Sequence, residues 1–149
     1  PAFRAALAAG GDVNARDAQQ DSAFLLAARN GHAQVVRAAL AAGADVRALN
    51  RYGSTALMGP SYRGHVETVR VLLQTPIDIH HVNDLGWTAL LEAIVLGRDG
   101  PAHREIVRML IDAGSRVDQP DREGVTPLRH AERLGQAEVA RMLRAAGAR

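Results

Sequence analysis

The chain has no cysteine, no lysine, only five aromatic residues and no long apolar run. Without cysteine, disulfides and thiolate metal sites are excluded, while both a reducing and an oxidising compartment stay open. Without lysine there is no amine nucleophile for Schiff-base chemistry, and all 18 basic residues are arginine. No segment approaches the roughly 20 apolar residues that a bilayer-spanning helix needs. One-sided charge is missing as well: 18 basic residues face 16 acidic ones, interspersed, for a net charge of +2. That balance gives no electrostatic footprint for nucleic acid or an acidic membrane surface, so neither is expected as a partner. The opening Pro1-Ala2-Phe3-Arg4 shows no charged-then-apolar signal pattern, and any leader would lie upstream. A cytoplasmic and an exported location are both compatible.

What the chain does have is internal repetition. The segment at Asp17 recurs at Asn50 and Asn83, 33 residues on each time, and again at Asp121 after 38. Gly53, Gly86 and Gly124 keep the same offsets, as do Thr55-Ala56-Leu57, Thr88-Ala89-Leu90 and Thr126-Pro127-Leu128. A fixed period of this length marks stacked supersecondary units, each unable to bury its apolar face alone. Function is then expected on the shared surface of the stack, with no single catalytic pocket. Each unit reads as a polar turn, a short helix, a tight turn, a second helix and a glycine-containing exit. In the first full unit Ser22 caps a helix carrying Phe24, Ala27 and Ala28, and Asn30-Gly31 breaks it. Val35, Val36, Ala39 and Leu40 line one face of the next helix, which Gly43 ends in a left-handed conformation.

These residues resemble the ankyrin repeat along essentially the whole chain. Gly31-His32, Gly64-His65, Gly43-Ala44-Asp45-Val46 and Thr126-Pro127-Leu128 sit where that family places them, although no unit keeps the histidine of the family's Thr-Pro-Leu-His. The run from Leu85 to Ala93, followed by a lengthened interhelix turn, is similar to bacterial ankyrin proteins, some of them exported. The resemblance implies an all-α solenoid of helix-turn-helix pairs with β-turn fingers. It divides into a partial repeat (1–16), full repeats (17–49 and 50–82), a repeat with an insertion near 98–102 (83–120) and a C-terminal capping repeat (121–149). In the last unit Glu132 and Arg144 replace the apolar residues of earlier units, giving a polar end face. At the other end Phe3, Ala5, Ala6 and Leu7 match a second helix whose first helix is absent, so the natural protein is expected to begin earlier.

The resemblance implies a non-enzymatic scaffold, monomeric and without cofactor, that binds a protein partner or another domain of its own natural chain. Mapped onto this sequence, the family's contact positions in the central units include Arg51, Tyr52, Tyr62 and Arg63, then Asp84, Leu85, Trp87, Val95 and Leu96. Asp21, Arg29, Ser54, Arg122 and Leu134 continue the surface on either side. Three of the five aromatics fall on this one expected concave face beside two arginines, a composition that interface anchors favour. The alternative is a sensor of small ligands or cationic groups such as methylated peptides, with Tyr52, Tyr62 and Trp87 as an aromatic cage and Asp84 or Glu92 supplying charge.

Three departures from the repeat and one recurrent position carry further expectations. Pro60, within Gly59-Pro60-Ser61, stands beyond the first turn of a helix capped by Thr55 and should kink or shorten it, at a cost of ~3 kcal/mol. Thr75-Pro76 replaces the exit glycine, so that helix must stop by another route. Arg98-Asp99-Gly100-Pro101-Ala102 should form an ordered loop leading into a helix at Pro101. Arg4, Arg37, Arg70, Arg108 and Arg141 recur at one position, three of them preceded by Glu67, Glu105 and Glu138 at pairing distance, which predicts a self-neutralised back. Of the histidines, His32, His65 and His103 belong to the repeat's turn. His80 and His81, near Asp78 and Asp84, offer the one conceivable metal cluster, and solvated tips are the expectation there.

Overall fold

Repetition of one short pattern produces repetition of one short structure. The computed structural model describes residues 11–149, and all of the regular structure among them is helical. The eight helices fall into four pairs: α1 (Ala23–Arg29) with α2 (Ala33–Ala41), α3 (Met58–Arg63) with α4 (Val66–Leu73), α5 (Ala89–Val95) with α6 (Pro101–Asp112), and α7 (Pro127–Arg133) with α8 (Ala137–Ala145). The first helices of the pairs contact one another in order, as do the second helices, so two layers run the length of the stack. The partial repeat expected at 1–16, with Phe3, Arg4, Ala5, Ala6 and Leu7, lies outside the described residues for its first ten positions.

The seam between the layers is the core. Phe24, Ala28 and Val36 of the first pair, Leu57, Val69 and Leu72 of the second, Leu90, Ile94, Ile106 and Leu110 of the third and Ala131 and Leu143 of the last are essentially without exposure. Burial of the larger of these side chains stabilises by about 1.5–3 kcal/mol apiece, and here each pair supplies only part of the lining.

Helix starts follow the sequence closely. Ser22, Thr88 and Thr126 each accept the amide N–H three residues on, at 3.2, 3.1 and 3.2 Å, satisfying a donor that the helix leaves unpaired. The second pair departs. Thr55 Oγ1 accepts from Leu57 N–H, residues 56 and 57 form a turn, and α3 begins only at Met58. Pro60 has therefore shortened the helix so that it occupies the first turn, where its missing N–H has no helical acceptor to lose. The following helix, α4, stops without glycine: the Thr75 hydroxyl donates to Leu72 O at 2.5 Å and its Oγ1 accepts from Ile77 N–H. The insertion is partly absorbed by helix, because α6 begins at Pro101 and runs 12 residues against 9 for α2. Residues 96–100 form the remaining loop, pinned by Arg104 Nε donating to Asp99 Oδ1 at 3.1 Å.

Ahead of each pair the chain forms a finger, and the four are built alike. Asp17, Asn50, Asn83 and Asp121 each accept through Oδ1 from the N–H groups two and four residues on. Each also closes a backbone bond across the turn, such as Asn83 N–H to Trp87 O at 3.0 Å. Neighbouring pairs are tied by His65 of an interhelix turn and by His103, which the sequence placed in such a turn and which the insertion puts inside the first turn of α6. His65 lies over Gly31 and His103 over Gly64, with His103 Nε2 2.6 Å from Tyr62 O. In the last pair Gln136 takes over and donates to Ile94 O at 2.8 Å.

Candidate functional site

The fourth residue after the capping Ser or Thr reaches the finger of its own pair in the last two pairs. That position holds Leu26, Gly59, Glu92 and His130 in successive pairs. In the last pair His130 Nε2 meets Asp121 Oδ2 at 2.7 Å. Burial pushes the Asp121 carboxyl up, but the Val125 N–H, His130 and the Glu123 N–H together outweigh it and hold the group below the usual carboxylate range. In the third pair Glu92 Oε1 accepts from Asn83 Nδ2 at 3.0 Å, and the same amide donates to Ser54 Oγ. Glu92 is 6% exposed, and burial pushes its carboxyl up to about 7 against the smaller downward pull of the Asn83 bond.

In the second pair the position is Gly59, which has no side chain to reach the finger. Even a Cβ there would stand 3.2 Å from the Arg29 backbone, so α1 and α3 approach closely through it. An open cavity of about 540 Å³ lies between the fingers and the inner helices, with Gly59 in its lining. Leu25, Met58, Leu85 and Leu96 supply apolar wall, and Asn50, Ser54, Thr55, Asn83 and Glu92 supply polar wall. Asp21 and Arg29 face it as an ion pair at 3.6 Å. Arg51 lies over the Tyr52 ring, 4.8 Å from its centroid, and Arg63 lies over Tyr62 at 5.4 Å. Each arginine also donates to its own tyrosine's hydroxyl at 2.9 Å.

Of the site residues read from sequence, Arg51, Tyr52, Tyr62, Arg63, Leu85 and Leu96 line this cavity together. Tyr52, Leu85 and Leu96 are also among the large apolar side chains most exposed to solvent, at 47, 58 and 51%. The other three stand apart from it. Asp84 lays its carboxylate against Gly53, and its backbone carbonyl accepts from Arg122 at 2.6 Å. Val95 is half-buried. The Trp87 ring is packed toward the following pair, 5.8 Å from the His130 ring and tilted by 44°. Tyr52, Tyr62 and Trp87 are therefore not gathered around one space, and one face of each tyrosine already carries the chain's own guanidinium. The sequence marks Gly59 only as part of a kink, and the structure places it in the wall of the cavity. The signal for that role is the break in the series Leu26, Gly59, Glu92 and His130 at the fourth residue after each cap.

On the opposite side the back is paired as its spacing predicts. Glu67 bridges Arg37 at 2.6 Å and Arg70 at 2.7 Å, Glu105 meets Arg108, and Glu138 meets Arg141. Arg70 and then Arg37 hold the Glu67 carboxyl below its usual range. His81 Nε2 is bound to Gly53 O at 2.7 Å, and the Asp78 carboxylate accepts from His80 N–H. Among the described residues no group of three or more His, Asp or Glu side chains is placed to hold a metal, and no helix is long and apolar enough to cross a membrane.

Comparison with known proteins gives the same repeat architecture. The family described as ankyrin repeats (3 copies) matches residues 1–83 and 61–149. An ankyrin repeat domain from Acinetobacter baumannii AYE, solved by crystallography, is 46% identical with a TM-score of 0.95, over 98% of this chain and 74% of that one. The crystal structure of EF0377, also an ankyrin repeat protein, is 30% identical with a TM-score of 0.88, over 95% of this chain and 72% of that one. The ankyrin repeat protein YahD of Escherichia coli (strain K12) is 43% identical over 58 residues, which are 39% of this chain and 29% of that protein's length.

Proposed function

Because the chain belongs to the ankyrin-repeat family and is thus a protein–protein interaction module, we propose that it is a non-enzymatic scaffold which docks one partner on the concave face of its central pairs. The partner is another protein or a further domain of the natural chain. The observation that carries this reading is the clustering of Tyr52, Tyr62, Leu85 and Leu96 with two stacked arginines around one open cavity. Large amphipathic side chains whose rotamers are already fixed lose little entropy on binding, and they are the usual anchors of interfaces. The back of the stack carries neutralised ion pairs, which contribute little to association. Against the cationic-cage alternative stand the separation of Trp87 from the cavity and the occupation of the tyrosine faces by Arg51 and Arg63.

The test is site-specific photo-crosslinking in cells of the source organism. A photoreactive amino acid at Leu85 or Tyr62 is expected to yield discrete protein adducts, and the same probe at Arg37 or Arg141 is expected to yield none in common with them. Identical adducts from both faces would remove the concave-face reading.

A further inference from the structure

Resting on the reading of this face as a docking surface, we propose that the cavity lined by Gly59 receives an acidic side chain of the partner, held by the guanidinium groups of Arg51 and Arg63. Charge complementarity points this way. The charged groups lining the cavity are Asp21, Arg29, Arg51, Arg63 and Glu92. Arg29 is paired with Asp21, whereas Arg51 and Arg63 have no carboxylate within ion-pair distance among the described residues. One positive charge is left over if Glu92 is ionised, and two if it is protonated. A single carboxylate brings the first case to neutrality and still finds an excess positive charge in the second.

Pre-organisation favours the same occupant. Both rim guanidiniums are held against tyrosine rings and bonded to the tyrosine hydroxyls, so a carboxylate meets donors already in place. A cationic group would have to displace them or sit between them. The apolar walls decide between a free small anion and an acidic segment of a protein. Tyr52, Leu85 and Leu96 are half-exposed around the opening, and only a chain that continues past the carboxylate covers them. The expected ligand is therefore an acidic residue flanked by apolar ones.

Glu92 gives the proposal a pH signature. Asn83 of its own finger is bonded to it, Asp21, Arg29, Arg51 and Arg63 share the cavity with it, and at the same position of the following pair His130 is bound to Asp121. Protonated, Glu92 adds no negative charge beneath an incoming carboxylate; ionised, it repels it. Affinity is accordingly expected to fall as pH rises through about 7, and Glu92→Gln should abolish that fall.

The experiment is fluorescence anisotropy on the whole chain with three labelled peptides of equal length that alternate Leu with Glu, with Gln or with Lys. The Leu-Glu peptide should bind saturably and about tenfold more tightly than the Leu-Gln peptide at low salt. The Arg51→Gln/Arg63→Gln double variant, checked for folding by circular dichroism, should lose that preference. Equal binding of the acidic and neutral peptides, absence of saturable binding by the acidic one, or an unchanged preference in the double variant would each overturn the proposal. Free glutarate binding as tightly as the peptide would overturn it in favour of a small-anion site. Preferential binding of the Leu-Lys peptide, lost in Tyr62→Ala, would leave the docking surface standing while refuting its acidic ligand.

Discussion

Asn83 and Glu92 show how one residue's chemistry is set by its structural counterpart. The finger residue is Asp at 121, opposite His130, and Asn at 83, opposite Glu92. Asn83 is buried and spends both amide hydrogens and its carbonyl, donating to Ser54 and Glu92 and accepting from Leu85 and Trp87. Asn83→Asp should still close the finger but would set two buried carboxyls against each other, costing about 2–3 kcal/mol in urea denaturation at pH 8. Adding Glu92→His, which recreates the pair found at Asp121 and His130, should recover most of the loss, and a double variant no better than Asn83→Asp would contradict this account. Glu92 itself makes a signed prediction. Its carboxyl titrates near 7 in the fold and in the ordinary glutamate range when unfolded, so between about 4.5 and about 7 the native state holds the extra proton. Its burial therefore costs nothing below that window, and stability falls as pH rises through it. Glu92→Gln, which can keep the bond to Asn83, should gain stability relative to wild type by roughly 3 kcal/mol between pH 4 and pH 8. A difference that does not change with pH would show that the group is not shifted.

The elements divide into those whose causes are local and those whose causes are not. Caps at Ser22, Thr88 and Thr126, the paired arginine ladder and the helix start at Pro101 were legible because each depends on residues within one turn or one repeat. The start of α3 was only half legible. Pro60 forbids a helix from Thr55, yet whether the helix kinks or begins late is decided by the packing of Gly59 on Arg29 and by Ser61 Oγ donating to Leu57 O at 2.7 Å. Trp87 was assigned to the open face from its place in the repeat, and its ring direction depends on His130, 43 positions away. The cavity was invisible for the same reason, because a vacancy exists only when the neighbours are known. Since Pro60 lies in the first turn of α3, its missing N–H withholds no bond that the observed helix makes. Pro60→Ala should thus change stability by less than about 1 kcal/mol, well short of the mid-helix value of about 3 kcal/mol. A gain near the larger figure would mean that the proline strains α3 after all.

At the scale of the whole stack, each pair is stabilised chiefly by its neighbours, and the binding face inherits its rigidity from that stacking. His65 on Gly31, His103 on Gly64 and Gln136 on Ile94 O clamp successive pairs on the side of the interhelix turns, and the finger bond from Asp84 N–H to Tyr52 O, 2.9 Å, does so on the other. Between these two sets of clamps the inner helices present their side chains at a fixed spacing. Stability and binding can therefore be separated by choosing residues from different parts of one surface. Trp87→Ala should lower the melting temperature, since it removes the ring between the third and fourth pairs, and leave partner affinity nearly unchanged while the protein is folded. Tyr62→Ala and Leu85→Ala should do the reverse, each weakening binding by more than about 1 kcal/mol with little change in melting. Arg37→Ala and Arg141→Ala, on the neutralised back, should affect neither by more than about 0.5 kcal/mol. Calorimetric binding and circular dichroism melts on the same preparations make the comparison. If Trp87→Ala loses affinity below its melting transition while Tyr62→Ala and Leu85→Ala do not, the partner docks over the third and fourth pairs, and the cavity at Gly59 is not where it is held.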